Sequence, residues 1–257
     1  MSSPDAPPAA VPADSGATAP APQVFSVVSS ERKFEGVVAS VRVDEVVMPG
    51  GGTAKREVVE HDRAVAVVAI GTTADAAAGV IDPRNPLDSE HTVLLIEQYR
   101  HPLGRRLWEL PAGLMDVDDE PAQTAAAREL FEETGFAAGT WSVLADVATS
   151  PGFTEETVRI FLATDLSQRA RPDAEHEEAD LRVVQVPLSV AVQAALAGQI
   201  VNVMAVVGIL AANTVLHGGA QTVPRPDDSG ATSDQPWAVH SGPGVPDAPA
   251  LPGVALR

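Results

Sequence analysis

Three glutamates at helical spacing are the residues of this sequence best suited to chemistry. Glu129, Glu132 and Glu133 stand at positions i, i+3 and i+4, so a helix would place all three carboxylates on one face. Like charges at these spacings cost a helix roughly a few tenths of a kcal/mol per pair, and a bound divalent cation would reverse that sign. Oxygen ligands without a neighbouring His or Cys match Mg²⁺, with Mn²⁺ as the alternative, better than zinc. The triplet alone favours a solvated helix face, so its surroundings must decide.

The surroundings of the triplet predict a helix that follows a loop and ends at a glycine. Pro121 suits the first turn, alanines and a leucine fall on one face, and Gly135 lies where a C-terminal cap belongs. The predicted helix spans residues 121–134. Gly113 lies in the preceding loop, and Arg128 comes directly before the first glutamate.

This arrangement resembles the Nudix box, which reads Gly, five residues, Glu, seven residues, then Arg-Glu-hydrophobe-x-Glu-Glu-x-Gly-hydrophobe. The matching residues are Gly113, Glu120, Arg128, Glu129, Leu130, Glu132, Glu133, Gly135 and Phe136. The sequence departs from the pattern at one point, because six residues rather than five separate Gly113 from Glu120. Either the loop absorbs the extra residue, or Asp119 takes the acidic position.

The resemblance implies a role for each residue of the box. The three helix glutamates would bind the metal ions together with the carbonyl of Ala112, and Glu132 would also belong to the catalytic set. Arg128 would pair with Glu120 and hold the loop against the helix. Bound Mg²⁺ neutralises a pyrophosphate and lowers the pKa of a water ligand, so hydrolysis would need no protein nucleophile.

Three further segments resemble the ADP-ribose pyrophosphatase group of this family. They are EQYRHP with LWELPAG ahead of the box, TSPGFTEE with Pro151 sixteen residues after Gly135, and the acidic stretch EHEEADLRV. The resemblance covers most of residues 24–217. It implies Mg²⁺-dependent hydrolysis of ADP-ribose to AMP and ribose 5-phosphate.

The same group implies where the substrate would bind. Arg100 of EQYR would contact the diphosphate, and Glu156 of TSPGFTEE would lie near the terminal ribose. The loop between Leu166 and Leu181 would carry the catalytic base, for which Glu177 is the first choice and the adjacent Glu178 the second. A carboxylate close to a metal-activated water could take its proton.

A homodimer is also implied by this resemblance. The first strands would form a small domain exchanged between two subunits, which would bring Arg56 of AKREVVEH near the partner's site. A surface arginine is otherwise solvated or paired with a carboxylate.

Two other functions stay open at this point. One is a Nudix hydrolase for another nucleoside diphosphate sugar or a dinucleotide, which the sequence does not separate from an ADP-ribose enzyme. The other is a non-catalytic module that binds ADP-ribose-like ligands for regulation, disfavoured because all three helix glutamates are present. A serine hydrolase or a P-loop enzyme has no supporting motif.

Composition excludes several other classes. The 257 residues carry 35 acidic and 17 basic side chains, a net charge of −18 that repels nucleic acid. With no cysteine, disulfides and thiolate chemistry are excluded. The first residues lack the basic and apolar regions of a secretory signal, so a cytoplasmic protein is expected. No charge falls between Arg182 and Arg225, yet Pro, Gly and amide residues interrupt this stretch, which predicts two helices, 188–197 and 201–216, rather than a membrane span.

The elements that must position these residues follow from patterning. Residues 1–23 and 219–257 are rich in Pro, Ala, Gly and Ser, which predicts disordered tails. Residues 33–51 and 54–61 alternate polar and apolar side chains around a Gly-rich turn, which predicts a small β subdomain over residues 24–62. Residues 63–218 would form the hydrolase domain, with strands at 64–71, 92–100 and 108–113 before the carboxylate helix. Strands and helices without regular βαβ alternation predict an α+β fold, for which the resemblance implies an α/β/α sandwich.

Overall fold

A computed structural model describes residues 25–72, 91–117, 119–170 and 180–218, and these residues form two sheets and three α-helices. The predictions of disorder for residues 1–23 and 219–257 concern segments outside the described residues. No helix of the described ranges is long and apolar enough to cross a membrane.

The N-terminal sheet has three antiparallel strands. They are β1 (Val27–Glu35), β2 (Ala39–Val47) and β3 (Thr53–His61), in the order β1-β2-β3. The predicted Gly-rich turn joins β2 to β3, where residues 50–52 are glycines with φ of 91°, 95° and 82° that other residues rarely adopt. The alternating pattern read in the sequence missed the start of β1, which is exposed along its whole length.

The larger sheet has seven strands around one parallel pair. Its strands are β4 (Ala64–Thr72), β5 (His91–Arg100), β6 (Arg105–Glu109), β7 (Ala112–Leu114), β8 (Phe136–Ala148), β9 (Thr157–Gln168) and β10 (Arg182–Pro187). The order is β10-β5-β4-β9-β8, with β6 paired to β5 and β7 to β4. Strands β4 and β9 are parallel and the other pairs antiparallel. A 3₁₀ turn, His101–Leu103, links β5 to β6.

The segment predicted as one strand, 108–113, belongs to two strands that fill a split in this sheet. Strand β4 pairs with β5 only from Ile70 to Thr72, while its beginning pairs with β7. The far end of β5 pairs with β6 instead. Pro111 lies at the crossing, where it has no N–H to donate and its carbonyl accepts the N–H of Val67 at 2.9 Å. The split brings β7 beneath the carboxylate helix.

Helices cover both faces of the larger sheet. Helix α1 (Ala122–Thr134) packs on one face, where buried alanines allow close approach to Val65, Val67 and Phe161. Helices α2 (Leu188–Leu196) and α3 (Val203–Leu216) pack on the other. The layers therefore give an α/β/α sandwich, and each helix lies within two residues of its predicted bounds.

Helix α1 ends as its sequence predicts and begins one residue later. Pro121, predicted in the first turn, is the N-cap residue. Gly135 adopts a left-handed conformation with φ of 75°, and its N–H donates to the Phe131 carbonyl at 2.8 Å. The register of α1 fixes which carboxylates face the sheet.

A buried ion pair lies on the face of the larger sheet that carries α1. Arg159 donates through Nε and Nη2 to Asp146 at 2.8 and 3.1 Å, and neither side chain is exposed. The two residues are cross-strand partners on β9 and β8. A register shift between Val143 and Ala145 turns Asp146 toward the face that carries α1. No local pattern in the sequence predicts this pair.

Candidate active site

The three carboxylates of α1 differ in exposure. The side chains of Glu129 and Glu132 are 13% and 37% exposed, and Glu133 is buried at 6%. The triplet alone favours a solvated helix face, but only Glu132 of the three is substantially exposed. Glu133 accepts the N–H of Ala112 at 3.0 Å, so β7 and α1 are joined through a carboxylate.

Arg128 bridges the loop and the helix. Its Nε and Nη2 donate to the Glu120 carboxylate at 3.3 and 3.1 Å, and its Nη1 donates to Glu129 at 2.6 Å and to Glu132 at 3.1 Å. The hydrogen bonds that Arg128 donates to Glu120 raise the pKa of Arg128, burial lowers it, and the charge of Glu129 raises it further. Arg128 is therefore held as a cation among three carboxylates.

The extra loop residue is accommodated by a turn. Asp119 has φ of 59°, a left-handed conformation that Asp tolerates better than most residues, and Glu120 N–H donates to the Val117 carbonyl at 3.2 Å. Glu120 is the acidic residue that pairs with Arg128. The first of the two alternatives left by the sequence thus describes this loop.

Gly113 leaves the space that Glu129 occupies. A Cβ at position 113 would lie 2.1 Å from Cδ of Glu129 and 2.2 Å from its Oε1, so no other residue fits without moving the carboxylate. The pairing of β7 with β4 and the packing of α1 bring the two together. This contact explains the glycine of the box by space rather than by backbone conformation.

The donor set suits a divalent cation in type, although Arg128 currently holds two of its members. Glu129, Glu132 and Glu133 offer oxygen ligands, as Mg²⁺ and Mn²⁺ prefer. Within the described ranges, no three Asp, Glu, His or Cys side chains are already gathered as a cation site. Arg128 Nη1 contacts one oxygen of Glu129 and one of Glu132, so a bound cation would either share these carboxylates with the guanidinium or displace it.

Arg100 lies beside a cavity of about 420 Å³ at the end of β5. It donates to the carboxylate of Glu109 through Nε at 2.9 Å and Nη2 at 2.6 Å, and Glu109 is 1% exposed. Asp180, which accepts from Arg106 at 2.6 Å, also lines this cavity. The predicted bases Glu177 and Glu178 lie outside the described residues.

Glu156 lies at the end of the loop that joins β8 to β9. Its carboxylate accepts the Thr149 hydroxyl at 2.6 Å, and its N–H donates to the Thr154 hydroxyl at 3.1 Å. His61 Nδ1 is 3.9 Å from the same carboxylate. Arg56, by contrast, donates to the Lys55 carbonyl and to Sδ of Met48, the residue that follows β2.

Two charged contacts near these residues were missed by sequence reasoning. Glu109 was treated only as part of a strand, although a charge within the apolar segment LWELPAG is a sign that a partner is needed. Arg42 contacts Glu155, 113 positions along the chain, and no local pattern signals such a pair.

Comparison with known proteins places this geometry in a family. A model of the NUDIX domain matches residues 74–202, which include the whole carboxylate helix. The chain belongs to the Nudix family. Its Nudix box is the segment from Gly113 to Phe136 described above.

Several curated relatives and a solved structure resemble this Nudix protein. An ADP-ribose pyrophosphatase of Mycobacterium tuberculosis is 47% identical over 205 residues, 80% of this chain and 90% of that protein. A methanol dehydrogenase activator of Bacillus methanolicus is 34% identical, covering 65% and 80%. An ADP-ribose pyrophosphatase of Bacillus subtilis is 35% identical, covering 63% and 77%. A crystal structure of an ADP compounds hydrolase has a TM-score of 0.61 at 20% identity, over 77% of this chain and 97% of the other, which supports the fold.

Proposed function

We propose that this Nudix protein hydrolyses the pyrophosphate bond of ADP-ribose, giving AMP and ribose 5-phosphate. The observation that carries the proposal is the 47% identity to the Mycobacterium tuberculosis ADP-ribose pyrophosphatase over 90% of that protein. Retention of the three box glutamates supports an enzyme rather than a binding module. A small nucleotide, bound through its phosphate oxygens, is the expected ligand of such a site.

Mg²⁺, with Mn²⁺ as the alternative, is the proposed cofactor. Glu129, Glu132 and Glu133 would hold it, with the carbonyl of Ala112 as a further ligand. When bound, the metal would neutralise the diphosphate and activate water. The role of Arg128 is then to keep Glu120 and the loop against the helix, since its Nε and Nη2 are directed to Glu120 and only Nη1 to the metal-binding glutamates.

The remaining groups would bind and orient the substrate. Glu109 holds the Arg100 guanidinium by two hydrogen bonds, and this orientation suits contact with a diphosphate oxygen. Glu156 would accept a hydrogen bond from a hydroxyl of the terminal ribose. Glu177, or failing that Glu178, would take the proton of the attacking water.

Product analysis on a substrate panel tests the proposal. The purified protein should convert ADP-ribose to AMP and ribose 5-phosphate with Mg²⁺ and not with chelator. The Glu133→Gln variant should lose turnover by at least about a hundredfold and remain folded, because a glutamine oxygen can still accept the Ala112 N–H. Glu35→Gln, on exposed β1, is the matched control and should keep full activity. Turnover by Glu133→Gln near the wild-type rate would contradict the metal assignment.

A second substrate class has its own support. GDP-mannose pyrophosphatase of Escherichia coli is 34% identical over 116 residues, which span 42% of this chain and 60% of that protein. A nucleotide sugar cleaved much faster than ADP-ribose would keep the Nudix mechanism and replace the substrate. Binding of ADP-ribose without cleavage would favour a regulatory module.

The homodimer and the role of Arg56 are also proposals, as is the cytoplasmic location. An exposed β1 that carries Val27, Val28 and Phe34 on its surface supports a partner on this sheet. If Arg56 completes the partner's site, mixing Arg56→Ala with Glu133→Gln should form heterodimers with one intact site each. Subunit exchange should then restore about a quarter of wild-type activity, given random pairing. No recovery from a dimer that exchanges subunits would place Arg56 outside the partner's site.

A further inference from the structure

The N-terminal sheet is joined to the loop that carries Glu156. Val59 of β3 donates its N–H to the Phe153 carbonyl at 2.7 Å, and its carbonyl accepts the N–H of Glu155 at 3.2 Å. Thr154 therefore forms a parallel bridge to Val59. Residues 150–156, here called the 150–156 loop, are thus added to the edge of β3.

A charged cluster reinforces this junction. Arg42 of β2 donates to Asp44 at 3.1 Å and to Glu60 at 2.8 Å, both in its own sheet, and to Glu155 of the 150–156 loop at 3.3 Å. We call these four residues the Arg42 cluster. Their side chains are between 9% and 32% exposed, so solvent screens them less than a surface pair. The ion pairs of Arg42 with Asp44 and Glu60 lie within the N-terminal sheet and do not involve Glu155.

The position of Glu155 connects the cluster to the site. Glu155 directly precedes Glu156, whose carboxylate is fixed on its other side by the Thr149 hydroxyl. A carboxylate that recognises a substrate hydroxyl works best when its backbone is held before binding, because the cost of ordering has then been met on folding. The Arg42 cluster holds that backbone from the side of the N-terminal sheet.

We propose that Arg42 is a positioning residue, which fixes the 150–156 loop through Glu155 and so sets Glu156 for substrate binding. The inference rests on the proposed function for the role of Glu156, while the fastening of the loop stands on the contacts alone. The N-terminal sheet would thus help to position a substrate-binding residue of its own subunit. This role is separate from any residue that the sheet contributes to a partner subunit's site.

Hydrogen exchange followed by mass spectrometry tests the fastening without substrate. Glu155→Gln and Arg42→Met should each raise exchange in peptides that cover residues 153–156. Glu60→Gln is the matched control, because it removes another Arg42 partner that lies within the sheet. It should leave exchange in the 150–156 loop unchanged. Equal exchange in wild type, Glu155→Gln and Arg42→Met would overturn the proposal.

Kinetics test the positioning. Glu155→Gln should raise KM by about tenfold with kcat within about twofold of wild type. The double variant that combines Glu155→Gln with Arg42→Met should have the same KM as Arg42→Met alone. Glu60→Gln should lower Tm without changing KM, and Arg42→Lys should reverse part of the rise in KM seen in Arg42→Met. Unchanged KM despite faster loop exchange would overturn the positioning role.

The two proposals fail in different ways. If wild type cleaves another compound of the panel, the ADP-ribose assignment fails and the same KM comparison is made on that compound. If wild type cleaves nothing, the comparison uses the Kd of ADP-ribose measured by calorimetry. In either case a raised KM or Kd for Glu155→Gln supports the positioning role of Arg42, and an unchanged value overturns it.

Discussion

At the scale of single residues, the site depends on one absent side chain. Gly113 has no Cβ, and the carboxylate of Glu129 occupies the space that a Cβ would need. The backbone of Gly113 lies in an ordinary strand, so conformational freedom is not what requires glycine here. The close approach of β7 to α1 is what requires it.

Gly113→Ala should therefore impair metal use before it impairs folding. The added methyl forces Glu129 to move, which should raise the Mg²⁺ concentration for half-maximal activity by about tenfold or more. Titration of activity with Mg²⁺ measures this, with Glu129→Gln as the variant it should resemble. A normal Mg²⁺ dependence with reduced Tm would show that the glycine serves packing alone.

Residues that act through neighbours in sequence could be predicted, and residues that act through distant neighbours could not. The resemblance to the Nudix box implied the pair of Arg128 with Glu120, eight positions apart, and helical spacing alone placed the three glutamates on one face. Predicting the contacts of Glu109 and Arg42 would require the pairing register of separate strands. Their partners follow from the split sheet and from the loop on β3, which the strand pattern did not reveal.

At the scale of elements, helix ends were more predictable than strand pairing. Pro121 and Gly135 bound α1 for local reasons of backbone geometry. The apolar residues of segment 108–113 predict one continuous strand. Which neighbouring strand each residue pairs with depends on β4 and β5, which lie outside the segment. A period of two does not say where a sheet divides.

The buried ion pair of β8 and β9 gives a prediction for these elements. Arg159→Met leaves Asp146 charged and buried without its cation, which should cost about 3 to 5 kcal/mol of unfolding free energy. The double variant Arg159→Met with Asp146→Leu should recover much of that loss, since neither position then carries a charge. Urea unfolding measures both. A double variant less stable than Arg159→Met would show that the pair contributes more than neutralisation.

The N-terminal sheet has an acid-sensitive carboxylate. The hydrogen bond from Ser30 lowers the pKa of Asp44 below its usual 3.8, burial raises it, and Arg42 lowers it further. The ionised form thus stabilises the fold above about pH 4, and this contribution is lost as pH falls through the lower pKa of the folded state. Asp44→Asn should be less stable than wild type at pH 7, and the difference should shrink below pH 4. Ser30→Ala should lie between them, and a difference constant with pH would refute the linkage.

At the scale of the whole molecule, the dominant feature is charge. A net charge of −18 opposes compaction through self-repulsion, and any cation in solution relieves it to some degree. Stabilisation by Mg²⁺ therefore has two sources that must be separated, general screening and occupation of the helix glutamates. Only the second depends on Glu133.

Thermal unfolding separates these sources without reference to activity. Mg²⁺ at a hundredfold excess over its Kd should raise Tm by about 5 to 10 °C more than NaCl of equal ionic strength, because a ligand that binds only the folded state adds about 2.7 kcal/mol. In Glu133→Gln the Mg²⁺ and NaCl curves should coincide, since only screening is left. The same Mg²⁺-specific increase in Glu133→Gln would mean that Glu133 is not needed to bind the cation, which then binds through Glu129 and Glu132 alone or elsewhere on this acidic surface.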